Sequence, residues 1–187
     1  EFRRVLFRSE VLSDTLLHVA GQLAETPYGP PDPVQVRGDG LVTPVAGPSG
    51  WRRSIYVQQR RKEIPSLLEA FDLPQMNPNC LTRPNSIVAT QALHLMNNAM
   101  VHRLATAFAR RVIHEAGPNP RAQIHRLYLV ALSRHPTPQE EALTIQSLDQ
   151  LTVQWSQSQA SSAAPHPPST RALANVCHAV LNSADRK

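Results

Sequence analysis

The sequence predicts a mainly α protein, with about five helices in an irregular bundle and a small β-hairpin or strand insertion near residues 34–59. Two observations lead to this expectation. Apolar residues recur at the i, i+3, i+4, i+7 spacing of amphipathic helices over most of the second half of the chain. The segment from Pro27 to Pro48 instead holds six prolines and four glycines, so that only short strands are expected there.

Length and composition limit the classes of protein that are compatible with this chain. It has 187 residues, of which 17 are prolines and two are cysteines. That length allows one domain, or one domain with an appendage. Two cysteines are too few for a disulfide scaffold or for four cysteine ligands to zinc. No apolar run approaches the ~20 residues that cross a bilayer, so we expect no membrane span.

The two ends of the chain look like translated sequencing-library adapter. The segment EFRRVLFRS occupies residues 1–9, and Asp-Arg-Lys closes the chain at residues 185–187. We therefore assign residues 1–9 and 184–187 to adapter, and residues 10–183 to a single helical domain from a longer gene product. The two end segments carry net charges of +2 and +1, so excluding them lowers the formal net charge from +5 to +2. This argues against a nucleic-acid partner.

The first half of this domain reads as short elements separated by loops. Apolar residues at helical spacing predict a helix over 10–25, and 27–50 reads as a Pro/Gly-rich excursion that contains a short hairpin. The remaining expectations are a short strand within 51–59, a helix of one to two turns over 64–71 and an extended loop over 74–84.

The second half reads as longer helices. Residues 88–97 and 100–116 predict one long helix or two abutting helices, and Pro120 opens the next. Thr137, Pro138 and Glu140 form a capping box that starts a helix running to about Trp155. A Ser/Gln/Ala/Pro linker over 156–169 precedes a last helix over 170–182.

Residues 51–97 contain motifs that together resemble one protein family. An Arg-Arg-Ser-x-Tyr segment is followed by Phe-Asp-x-Pro, by a Cys and an Arg before an Asn-Ser pair, and by Gln-Ala-Leu-x-Leu-x-Asn. This combination resembles the domain of unknown function number fifteen-fifty-three, which lies at the C-terminal end of large planctomycete-type secreted proteins. The residues concerned are Arg52, Arg53, Ser54, Tyr56, Phe71, Asp72, Pro74, Cys80, Arg83, Asn85, Ser86, Gln91, Ala92, Leu93 and Asn97.

The resemblance extends over nearly all of residues 10–183 and implies a context rather than a reaction. Family members commonly carry an N-terminal cytochrome-c-like domain and are exported. The resemblance therefore implies an extracytoplasmic (periplasmic or secreted) accessory or interaction domain, whose partners are other domains of the same chain. It implies haem only on an upstream domain and no cofactor in the present chain.

The arginines of these motifs form the main candidate ligand-binding cluster. Guanidinium groups bind carboxylate and sulfate in a fork geometry, so the cluster is suited to an anion or carbohydrate pocket. The alternative is a buried Arg–Asp network that fixes an irregular loop. The candidate ligand-binding residues are Arg52, Arg53, Tyr56, Asp72, Arg83, Asn85, Ser86 and Gln91.

Cysteine and histidine residues offer weaker candidates. Cys177-His178 ends like a c-type haem motif, but Ala174 occupies the position of the first cysteine, so we expect no covalent haem here. If the chain is exported, Cys80 and Cys177 either form a disulfide or remain two independent thiols. His94 and His102 share a helical face but lack a nearby third ligand, so we expect no metal site.

Neither a nucleophile–base pair nor paired carboxylates are apparent, which leaves the question of enzymatic activity open. The first hypothesis is the accessory or interaction domain. The alternative is the substrate-contacting part of an extracytoplasmic enzyme that acts on a polyanionic or sulfated polysaccharide. A solvent-open cleft lined by the arginines would favour the alternative, and buried, paired arginines would favour the first hypothesis.

Overall fold

Seven α-helices and one antiparallel hairpin account for most of the residues described by the structure, a computed structural model. It describes residues 8–48, 50–60, 62–74, 89–158 and 166–183. The mainly α fold is confirmed. The elements are α1 (Ser9–Val19), β1 (Val34–Val36), β2 (Val42–Pro44), a 3₁₀ turn (Ser54–Tyr56), α2 (Ser66–Ala70), α3 (Ala89–Asn97), α4 (Ala99–Ala116), α5 (Pro120–Leu132), α6 (Pro138–Ser158) and α7 (Pro168–Leu181).

The chain forms two compact units. Of the described residues, one unit comprises those up to Met100 except Val19–Gly21, and the other comprises Val19–Gly21 with those from Val101 onward. The boundaries 10–183 of a single domain remain a prediction. Of the assigned adapter residues, Arg8 and Ser9 are described and Ser9 begins α1; residues 1–7 and 184–187 lie outside the described residues.

The first helix is shorter than the sequence predicts, because a glycine ends it. Gly21 adopts a φ of +67°, a left-handed conformation that costs glycine little. The Gln22 N–H donates to the Leu17 carbonyl at 2.9 Å, the long hydrogen bond of a Schellman motif. The helical spacing over 10–25 therefore overestimated α1 by several residues.

The expected hairpin is confirmed, but the expected strand after it is not. β1 and β2 pair antiparallel with Val36 opposite Val42, and Gly40 has a φ of +82° in the turn between them. Residues 51–59 instead form the 3₁₀ turn with isolated bridges on either side. The Ser54 N–H donates to the Asp14 carboxylate on α1 at 2.7 Å, so it is not available for a strand pairing at this point.

The helices of the second unit pack around one apolar core. α6 packs against both α5 and α7. The side chains of Phe108 and Val112 on α4, Ile124 and Leu127 on α5 and Cys177 on α7 are fully buried.

Two of the helix starts in this unit have side-chain caps. The Asn119 carboxamide accepts the Arg121 N–H at 3.0 Å at the start of α5. The capping box at α6 is confirmed, since Glu140 accepts the Thr137 N–H at 2.7 Å and Thr137 Oγ1 accepts the Glu140 N–H at 3.3 Å. Among the described helices, none has both the length and the apolar character that crossing a lipid bilayer requires.

Candidate functional site

Arg52 lies at the centre of the candidate cluster and is buried, with 7% of its surface exposed. Its Nε donates to both carboxylate oxygens of Asp32 at 3.1 Å, and its Nη2 donates to Asp32 Oδ1 at 2.8 Å. Nη1 donates to the Tyr28 carbonyl at 2.7 Å, and Nη2 also donates to the Pro30 carbonyl. The guanidinium therefore cross-links residues 28–32 to the segment that carries Arg52.

The surroundings of Arg52 favour its charged form. The hydrogen-bonded Asp32 carboxylate raises the pKa of Arg52 above its ordinary value. The guanidinium carbon also lies 4.7 Å from the centre of the Tyr56 ring, within the range of a cation–π contact. All three guanidinium nitrogens donate within the protein, so Arg52 has little capacity left for an external anion.

Asp32 is as buried as Arg52, and its position is fixed by its own backbone. The Asp32 N–H donates to the Tyr56 carbonyl at 2.7 Å, and the Asp32 carbonyl accepts the Gln58 N–H at 2.8 Å. A Cβ atom at Gly47 would lie 2.5 Å from Asp32 Oδ1. Glycine at position 47 therefore leaves room for the carboxylate that Arg52 binds.

The two residues after Arg52 contact different parts of the first unit. Arg53 is 55% exposed in its side chain and pairs with the exposed Glu25 at 3.0 Å. Ser54 is buried, and its hydroxyl donates to Asp14 Oδ1 at 2.7 Å, beside the bond from its N–H. The Arg-Arg-Ser segment thus anchors the loop at Tyr28–Asp32 through its first residue and α1 through its third.

The structure brings together only part of the predicted cluster. Arg52 and Tyr56 are in contact, but the carboxylate that Arg52 binds is Asp32 and not the expected Asp72. Asp72 is half-buried with a φ of +60°, and Gln91 is half-buried on α3. Arg83, Asn85, Ser86 and Cys80 lie outside the described residues.

The acidic partners Asp14, Glu25 and Asp32 were not predicted from the sequence. Their contacts with the Arg-Arg-Ser segment span 20 to 40 residues of chain, which helical or strand periodicity does not reveal. One signal was available for Asp32, which stands between prolines in the run Pro-Pro-Asp-Pro. An acidic residue within such a segment has few regular backbone partners and is suited to anchoring the loop.

Cys177 and the histidines considered as candidate ligands lie in three different settings. Cys177 is fully buried, and burial raises the pKa of its thiol; its pairing with Cys80, which lies outside the described residues, remains a prediction. The rings of His102 and His178 stack with centroids 4.1 Å apart, and His94 Nε2 lies 3.0 Å from Asn98 Nδ2. In the described part of the chain, no group of three or more His, Cys, Asp or Glu side chains is arranged to hold a metal ion.

A shallow cavity of about 450 Å³ lies among α5, α6 and α7. Glu140 on its wall accepts two hydrogen bonds from Arg134, at 2.8 and 2.7 Å. These bonds and the Thr137 N–H lower the pKa of Glu140 to about 2, so at neutral pH it is a paired carboxylate and not a proton donor. The cavity is lined by Tyr128, Leu132, Glu140, Leu143, Thr144, Ser147, Leu151, Asn175, Val176, Ala179, Val180 and Ser183.

Comparison with known proteins identifies a family match. The family model described as "PSD1: Protein of unknown function (DUF1553)" matches residues 1–148. The matched range includes the nine residues assigned to adapter and ends within α6, so the adapter assignment and the likeness of α7 to the family remain predictions. No curated protein shows a significant match to the chain. No solved structure does either.

Proposed function

We propose that this chain, which belongs to the family of proteins of unknown function DUF1553, acts as an accessory or interaction domain of a larger exported protein. The family resemblance supports an extracytoplasmic location and a cytochrome-c-like domain elsewhere in the same polypeptide. In this proposal haem is carried by that upstream domain.

One observation favours this role over that of a substrate-binding enzyme. Arg52, the first arginine of the family-like motif, is buried and donates to Asp32 and to two backbone carbonyls. A guanidinium held in this way stabilises a loop and does not present a charge to substrate. The motif then serves to build a defined surface from a segment that has few apolar side chains of its own.

The test is a binding measurement with the proposed partner. The 187-residue chain is titrated calorimetrically with the separately produced cytochrome-c-like domain of a full-length family protein. Interfaces between domains resemble transient protein interfaces, so we expect a Kd of roughly micromolar order. An unrelated cytochrome c of similar net charge is the control and should not bind. Absence of binding at concentrations of about 100-fold above that Kd would contradict the proposal.

A further inference from the structure

Two exposed arginines on α4, Arg103 and Arg110, make no ion pair or hydrogen bond with the residues described by the structure. They are seven residues apart on one helix, which places them on the same face with an axial separation of about 10 Å. His114, also exposed, lies one further turn along that face. We refer to Arg103, Arg110 and His114 as the α4 basic stripe.

The positive charge of this stripe is not compensated by its own unit. Residues 101–183 contain seven arginines and four acidic residues. Three of the acidic residues are already paired with other arginines. Glu115 accepts from Arg111 and Arg126, Glu140 from Arg134, and Glu141 from Arg121. The only acidic residue on α4 itself is Glu115, so no carboxylate of the helix neutralises Arg103 or Arg110.

The composition of the stripe indicates the kind of ligand. Protein interfaces are usually anchored by apolar or aromatic side chains at their centre. None of the exposed large apolar residues among those described lies on α4. Double-stranded DNA carries one charge per ≈ 1.7 Å of axis and is bound through many phosphate contacts. Two arginines about 10 Å apart provide only a few of the many contacts that DNA binding uses, and are better matched to a hydrophilic polymer held through a small number of anionic groups.

We propose that the α4 basic stripe binds an acidic polysaccharide through its sulfate or carboxylate groups, with Arg103 and Arg110 as the main contacts. Each guanidinium offers the fork of parallel N–H donors that both anions accept. This proposal rests on the interaction role proposed above and assigns it a ligand, at a site separate from the Arg52 cluster.

The test uses dextran sulfate as the sulfated probe, polygalacturonate as the carboxylated probe and uncharged dextran as the control polymer. Arg103→Gln/Arg110→Gln is compared with Arg37→Gln/Arg60→Gln, which removes the same charge from exposed positions of the other unit. We expect at least one acidic polymer to bind and dextran not to. We expect the α4 double variant to weaken that binding by about 10-fold, and the control double variant by less than about twofold.

Three results would overturn the proposal. The first is equal weakening by the two double variants, which would show a general effect of net charge. The second is binding of neither acidic polymer. The third is binding of a single-stranded oligonucleotide as tightly as the acidic polymers, if that binding also depends on Arg103 and Arg110. These polymer-binding measurements contain no cytochrome-c-like domain. A negative result therefore contradicts the polysaccharide proposal alone, and the interaction with the cytochrome-c-like domain is tested separately by the calorimetric titration.

Discussion

The strongest constraint at the scale of single residues is the space around the Asp32 carboxylate. Arg52 donates to both oxygens of this carboxylate, and the Asp32 backbone is hydrogen-bonded to Tyr56 and Gln58. Gly47 lies against the carboxylate on a side where a Cβ atom would not fit. A carboxylate at the end of a free side chain could turn away from a new methyl group. Asp32 cannot do so without breaking its bonds to Arg52.

We therefore expect Gly47→Ala to destabilise the chain by about 1–3 kcal/mol, the usual cost of overpacking. Gly38→Ala is the matched control, because no atom lies within 4 Å of the added Cβ. Urea unfolding monitored by circular dichroism measures both variants. A Gly47→Ala variant as stable as Gly38→Ala would show that Asp32 is not held as tightly as the structure indicates.

At the scale of elements, the turn between α5 and α6 joins a helix cap to an ion pair. α5 ends where Ser133 adopts a left-handed φ of 56°, and α6 starts with the Thr137–Glu140 capping box. Arg134, in the turn, reaches the same Glu140 carboxylate. One carboxylate thus fixes both the start of α6 and the conformation of the turn before it.

This arrangement predicts a defined pH dependence of stability. The hydrogen bonds from Arg134 and Thr137 lower the pKa of Glu140 to about 2, from an ordinary value of 4.5. The ionised carboxylate therefore stabilises the fold fully above about pH 4.5, and this contribution is lost as the pH falls towards 2. Glu140→Gln keeps the capping-box geometry but not the charge, and should cost about 1 kcal/mol at pH 7.

The measurement is the free energy of unfolding of wild type and Glu140→Gln from pH 7 to pH 2. The difference between them should be constant down to about pH 5 and should shrink below it. Asp149→Asn, at an exposed position of the same helix, is the control. If the wild type were still more stable than Glu140→Gln by the same free energy at pH 2, this would contradict the stabilising role of the ionised Glu140 carboxylate.

At the scale of the whole molecule, regular periodicity was readable from sequence and long-range pairing was not. The apolar periodicity of the second half, the proline at position 120 and the capping box at Thr137 depend on neighbours within a few residues, and the helices formed where these predict them. The partners of Arg52 and Ser54 come from loops and helices 20 to 40 residues away. Proximity of that kind is set by packing, which explains why the cluster was recognised without its acidic partner.

The same limit applies to the element boundaries. α1 ended early because Gly21 adopts a left-handed conformation, and the segment 51–59 became a 3₁₀ turn because Asp14 accepts the Ser54 N–H. The first departure from the sequence prediction is caused by a local backbone angle, and the second by a long-range hydrogen bond. Which arginines of the second unit pair with a carboxylate is likewise set by packing and is shown only by the structure.

We infer that Arg52 stabilises the fold through Asp32 and does not serve a ligand. The most direct test is thermal unfolding of Arg52→Ala, Asp32→Ala and the double variant, with Arg53→Ala as the control. Removing one partner of a buried pair leaves the other charge unpaired, so each single variant should lower Tm by about 10 °C. The double variant should be no less stable than the worse single variant. Arg53→Ala removes one partner of the exposed Arg53–Glu25 pair and should change Tm by less than about 2 °C.

If Arg52→Ala fails to fold, Arg52→Lys retains the charge without the fork and should still lower Tm, by a smaller amount. We predict a large decrease in Tm for Arg52→Ala, a similar decrease for Asp32→Ala and no further decrease in the double variant. A Tm for Arg52→Ala within about 2 °C of wild type, or losses that simply add in the double variant, would contradict this prediction.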